Sequence, residues 1–189
     1  MGAFVSLAFG WEGSLEDISA LDGALDRAGL QLRHAGQQAY GMREAAWIFS
    51  VAEEELALTS RCYQETGWVS TTLDIAEEVF EAAGDRVGRA ELVETFVRLG
   101  ADLLRRLGLR YVFFDEEAEA EIAPWQYRAD VLFGITLVAD GVPGLAEAAR
   151  RPEVQRIERF DGGLALFRRL DPVPHYEPPN RPEAMHKPA

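Results

Sequence analysis

The sequence predicts an α+β fold, a mixed β-sheet of about five to eight strands with helices packed against it. Three observations carry this reading. Short apolar runs bounded by glycine or acidic residues recur at 3–9, 109–114 and 131–139, as buried strands do. A long amphipathic pattern from Arg89 to Leu107 has the period of a helix. Strands and helices interleave without strict βαβ alternation, which favours helices on one mixed sheet over a doubly wound parallel fold. Residues 1–170 are read as one domain, because 189 residues with 48% hydrophobic side chains suffice for one well-buried core and are short for two.

Each element has a local reason. Ala3 to Phe9 is apolar and stops at Gly10, which suits a buried strand. Ser14 opens a helix as N-cap, with Asp17 three residues on as a capping-box variant, and Leu15, Ile18, Leu21 and Leu25 form its apolar stripe up to Gly29. Leu30 to Arg33 reads as a short strand and 36–41 as a loop. From Ala45 to Tyr63 the pattern is apolar at either period. Two strands are favoured, with Trp47, Phe49 and Val51 on one face of the first and Leu56, Leu58, Ser60 and Cys62 on one face of the second. A helix from Ala45 to Leu58 is the competing reading.

An acidic helix is expected between Thr71 and Gly84, capped near Thr71 or Thr72. The next helix, from Arg89, buries Val93, Phe96, Gly100, Leu103, Leu104 and Leu107, pairs Glu94 with Arg98 and Asp102 with Arg106 at i, i+4, and stops at Gly108. It leads into a central strand, Leu109 to Phe114, and then into an acidic loop or single helical turn at 115–121. Val131 to Ala139 is a further strand, Leu145 to Arg150 a brief helix ending before Pro152, and 154–170 a hairpin turning near Asp161-Gly162. Six of the nine prolines fall after Asp171, so 171–189 is read as an extended or disordered tail.

Charge bounds the function. The net charge is −13, and residues 1–60, 61–120 and 121–189 contribute −6, −6 and −1. Such a chain is not suited to grip nucleic-acid phosphates directly, and a partner drawn by charge would be basic and would meet the first two thirds. No run approaches the ~18 apolar residues of a membrane span, and the start lacks the basic and apolar regions of a secretory signal. Met1-Gly2 with Ser6 fits the loose myristoylation pattern, but Phe4, Leu7 and Phe9 are claimed by the strand. With Cys62 the single cysteine, no internal disulfide forms, and a cytoplasmic location is expected. The sequence sets no oligomeric state.

Several chemistries lack their residues. Lys187, in the tail, is the one lysine, so Walker-type phosphate loops, kinase-type sites and Schiff-base chemistry have no positioned ammonium group. His34 is the sole histidine before the tail, and Cys62 with His34 is the available thiol and base pair. Cys62 sits in an apolar alternating segment, as an inert thiol would. Closely spaced zinc ligands are missing, and no cofactor or metal is expected. Gly10-Trp11-Glu12-Gly13 lies between strand and helix, but Trp11 and Glu12 are bulky and negative where a phosphate would approach. Trp11 and Trp125 are candidate aromatic anchors for a partner, or packing against the sheet edge.

Two acidic groups remain. Asp74, Glu77, Glu78 and Glu81 fall at i, i+3, i+4 and i+7, one face of the expected helix, with like charges that cost a few tenths of a kcal/mol per pair. The stripe reads as a docking surface or as a well-solvated face. Asp115 and Asp140 each follow an apolar strand and would emerge at one sheet edge if those strands were parallel neighbours, where they could hold Mg²⁺ or serve as acid and base. The expected function is therefore a non-catalytic acidic protein that binds a basic protein, of the inhibitor, immunity or phage-defence type, with Glu53 to Glu55 or Asp115 to Glu121 extending the charge. The alternative is an enzyme or small-molecule binder with a carboxylate-lined site at strand ends, Mg-dependent or metal-free.

Overall fold

In the computed structural model, which describes residues 3–36 and 41–172, nine strands form one sheet and four α-helices accompany it. The strands are β1 (Phe4–Glu12), β2 (Leu30–Ala35), β3 (Met42–Val51), β4 (Glu54–Gln64), β5 (Trp68–Ala76), β6 (Tyr111–Glu116), β7 (Ile135–Ala139), β8 (Arg156–Phe160) and β9 (Gly163–Phe167). The helices are α1 (Ile18–Arg27), α2 (Glu77–Val87), α3 (Arg89–Leu107) and α4 (Leu145–Ala148). Strand order is β2-β3-β4-β5-β1-β6-β7-β9-β8, and every neighbouring pair is antiparallel. The α+β class holds, with one strand more than the expected range. The proline-rich tail, from residue 173 on, lies outside the described residues, as do 37–40 of the expected loop.

Local signals act where they were read. Ser14 and Asp17 complete a reciprocal capping box that opens a 3₁₀ turn, Leu15–Asp17, leading into α1. The 45–63 region is two strands, β3 and β4, because Trp47, Phe49 and Val51 face the core while the Trp47 indole N–H donates to Ser60 Oγ at 2.9 Å across the pair. Helix α3 spans Arg89–Leu107 as expected, Gly108 at φ +63° supplies the left-handed stop, and Asp102 pairs with Arg106, whereas Glu94 is drawn to Arg156 of β8 at 3.5 Å and Arg98 donates to Thr95. Strand β7 begins at Ile135 rather than Val131. The N–H groups of Phe133 and Gly134 turn instead to Thr136 Oγ1 and Asp115 Oδ2, so 131–134 is a loop.

Two cores lie on opposite faces of the sheet. The larger sits beneath α1, α2 and α3, where Phe49, Phe80, Phe96 and Phe114 pack edge-on or stacked with centroids 5.5–6.1 Å apart. The smaller covers only β1, β6, β7 and β9, through Ala118, Ala120, Tyr127, Ala129, Leu132 and Val142 from the chain between β6 and α4. Strands β2 to β5 contribute nothing to this second core. The outer face of β2, β3 and β4 is uncovered, whereas Trp68, Thr72 and Asp74 of β5 are buried, and a step marks where the cover ends. No helix among the described residues is long and apolar enough to cross a membrane.

Candidate functional site

The expected acidic helix over Thr71 to Gly84 is corrected by the strand that occupies its first half. Val69, Thr71, Leu73 and Ile75 alternate into the core, and β5 is paired on both sides, by β4 and β1, so the ladder holds this stretch extended until Ala76. Helix α2 starts at Glu77 without a side-chain cap, its first-turn Glu77 and Glu78 favourably placed against the helix dipole. Asp74 is thus on a strand and 5% exposed. It accepts from Ser6 Oγ at 2.6 Å, Thr72 Oγ1 at 3.0 Å and Arg61 Nη1 at 2.6 Å. Glu81 is paired with Arg89 at 2.9 Å. The four carboxylates do not share one surface; Glu77 and Glu78 remain together on the first turn.

Asp115 and Asp140 do not meet either. Because β6 and β7 are antiparallel, Asp115 follows the residue opposite Ile135, whereas Asp140 follows Ala139 at the far end of the same strand. Asp115 is buried and serves as a latch: it accepts from the Gly134 N–H at 2.7 Å and the Glu116 N–H at 2.9 Å, and pairs with Arg169 at 3.2 Å. Asp140 binds Arg159 through both oxygens, at 2.7 and 3.1 Å. Among the described residues, no three His, Cys, Asp or Glu side chains converge as a cation site.

The thiol pairing is likewise not formed. Cys62 points into the helix-side core, while His34, opposite Ala46, lies on the other face of the sheet. Burial pushes the Cys62 thiol up to about 11, against a hydrogen bond from Thr71 Oγ1. Trp11 is core too, its indole N–H donating to Thr71 Oγ1 at 3.0 Å, whereas Trp125 is 47% exposed.

What the structure does assemble is a cleft at the step between the bare and covered halves of the sheet, a cavity of about 630 Å³. Its floor is the outer face of β1, β4 and β5, with Ser6, Arg61, Thr72 and Asp74 in one hydrogen-bonded group. Arg61 also lies over the Phe4 ring, 5.1 Å from its centre, and reaches Glu44 at 3.3 Å. Trp68 lies over Gly10, where any Cβ would stand 2.9 Å from its ring and from the Tyr111 hydroxyl. Only glycine leaves that ring its place.

The outer wall is the segment after β6. Glu117, Glu119 and Glu121 are exposed while Ala118 and Ala120 between them are buried in the second core, so this is an extended segment with alternate residues outward. Its ends are fixed. Glu117 N–H donates to Phe4 O at 2.8 Å, and Ser70 Oγ donates to Ala120 O at 2.8 Å. Glu117 takes φ +49°, an uncommon conformation for a non-glycine residue. The cleft therefore gathers five carboxylates, Glu65, Asp74, Glu117, Glu119 and Glu121, around one guanidinium, Arg61. Among the described residues, ion pairs form with Asp74 but with none of the four glutamates. The period-two run Glu-Ala-Glu-Ala-Glu is the sequence signal for this wall, and the same charge fits the acidic loop or single helical turn expected at 115–121. Compared with protein-family models, curated proteins and solved structures, the chain matches none.

Proposed function

We propose that this is a non-catalytic acidic binding protein whose partner is a basic protein, of the inhibitor or immunity type, and that contact is made at the cleft rather than along 71–84. One observation carries the reading: four glutamates with no internal ion pair line a concave site whose one cation is already committed to Asp74. Carboxylates so arranged attract a basic surface over several ångströms and accelerate encounter. Trp125, 47% exposed with its ring edge near Gly67 in the turn between β4 and β5, offers an aromatic anchor.

The test is affinity capture from the source cell, followed by titration of the purified partner. Glu119→Lys with Glu121→Lys should weaken binding by about tenfold or more and flatten its salt dependence, with the melting temperature unchanged. Glu77→Lys with Glu78→Lys serves as the comparison. Loss confined to that second pair would return the contact to α2, and unchanged affinity in both would remove the charge argument.

A second reading, a carboxylate-lined small-molecule site, draws on the cavity volume of about 630 Å³, which lies in the range of ligand pockets. Its place is this cleft, not Asp115 and Asp140. Thermal melting in the presence of small cationic ligands, with Mg²⁺ as the comparison, decides it, because occupancy of the native state raises the melting temperature.

A further inference from the structure

The loop that stands where a strand was expected builds a second cavity. Residues 131–134 are drawn out of the ladder because the Phe133 N–H donates to Thr136 Oγ1 at 2.9 Å and the Gly134 N–H to Asp115 Oδ2 at 2.7 Å. Phe133 then lies against Phe113 of β6, with ring centres 4.3 Å apart, and the two rings join Ile122 and Val131 in lining a cavity of about 270 Å³. Both aliphatic residues are tied in place: the Tyr111 hydroxyl donates to the Ile122 carbonyl, and the Tyr127 hydroxyl donates to the Val131 carbonyl at 3.1 Å. Ile122 and Phe133 are half-buried and Val131 is exposed, so apolar carbon stands open here. The exposed Glu117, Glu119 and Glu121 line this cavity as well as the cleft, and among the described residues none of the three has an ion pair.

We infer that this second cavity receives one lysine or arginine side chain of the partner, its methylene stem against the apolar walls and its cationic head at the glutamates. This rests on the reading of the protein as a binder of a basic partner, and it names the kind of residue by which that partner is held. Walls and charge select the occupant together. An anion is repelled by three carboxylates. A metal ion lacks its ligand set, since no three His, Cys, Asp or Glu side chains converge among the described residues. A wholly apolar side chain would cover the carbon but leave the carboxylates beside it without a counter-charge, and a short cation would leave the carbon wet. Lysine and arginine carry both parts, an apolar stem and a charged head. Size agrees, because 270 Å³ falls just short of the ~300–1,000 Å³ that hold whole ligands and leaves room for one side chain.

The experiment titrates the full, isotope-labelled chain with the N-acetyl methylamides of lysine, norleucine and diaminopropionic acid at fixed ionic strength, reading backbone amide shifts by NMR. Norleucine keeps the stem without the charge; diaminopropionic acid keeps the charge on a shorter stem. The lysine probe should bind at least about fivefold tighter than either, with shifts at Ile122, Val131 and Phe133. Val131→Gln should abolish its advantage over the short-stemmed probe. Glu119→Gln with Glu121→Gln should abolish its advantage over norleucine, and Glu65→Gln, in the cleft alone, should change neither; melting temperatures confirm that each variant is folded. Equal binding of lysine and norleucine overturns recognition of the charge, and equal binding of lysine and the short probe overturns the apolar seat. Shifts confined to Tyr63, Glu65 and Trp68 overturn the location. Absence of saturable binding by the lysine probe overturns the inference as a whole. The charge reading is judged separately, by partner titration of the protein carrying Glu119→Lys and Glu121→Lys, so the two can fail independently.

Discussion

Asp74 is the residue on which expectation and structure diverge most usefully. Spaced with Glu77, Glu78 and Glu81, it fits a helix face; placed between two paired strands, it becomes the acceptor of a serine, a threonine and an arginine from β1, β5 and β4. Nothing local distinguishes the two, because its partners Ser6 and Arg61 are remote in sequence. Cys62 is the opposite case, where an apolar alternating segment was enough to indicate an inert thiol. Its folded value near 11 against an ordinary 9.0 has a consequence for stability. Below pH 9 the thiol is neutral in both states and the contribution is whole. As pH rises toward 11 the unfolded chain loses the proton while the folded one keeps it, so stability falls, by about 2–3 kcal/mol on this account. Urea unfolding across that range should show a shallower alkaline decline for Cys62→Ala than for the natural chain, with Tyr111 and Tyr127 common to both.

At the scale of elements, the wall after β6 shows how a charged segment is held in an ordered place. Ala118 and Ala120 are 1% and 3% exposed, so they anchor the segment while the glutamates between them stay in water. Ala118→Leu should overpack the second core and cost about 1–3 kcal/mol. Glu119→Leu should leave stability within about 0.5 kcal/mol, as surface changes do. Chemical denaturation of the two variants checks the alternation directly; equal losses would mean that the segment is not anchored as described. Helix α3 was legible from its own residues because periodicity, terminal arginines and a glycine stop all agree over nineteen residues. The 131–134 loop was not, since its apolar side chains resemble a strand and its backbone is diverted by Asp115 and Thr136.

Across the whole molecule, the acidity of the first two thirds is spread over both sides of the sheet: Asp22 and Asp26 on α1, Glu77, Glu78, Glu81 and Asp85 on α2 and Glu91, Glu94 and Asp102 on α3 lie with the helices, and Glu44, Glu55, Glu117 and Glu119 lie on the other side. A net charge of −13 also makes the folded state repel itself. Raising salt from roughly 10 to 150 mM should screen that repulsion and lift the melting temperature by about 2–4 °C. A scan in which added salt lowers it would show that internal ion pairs outweigh the repulsion.

The sequence by itself determined the α+β class, the helix from Arg89 to Leu107, the capping box at Ser14 and the hairpin at 161–162, since each rests on periodicity or on residues a few positions apart, whereas over 45–63 it favoured two strands and left a helix open. Tertiary structure alone decided that β1 lies between β5 and β6, that Asp74 belongs to a strand, that Asp115 and Asp140 stand at opposite ends of an antiparallel pair, and that Glu117 to Glu121 face Arg61 across a cleft. Those outcomes depend on contacts between segments far apart in the chain. Strand order and facing are set by which apolar faces can be buried together, a condition of the whole sheet that no single segment records.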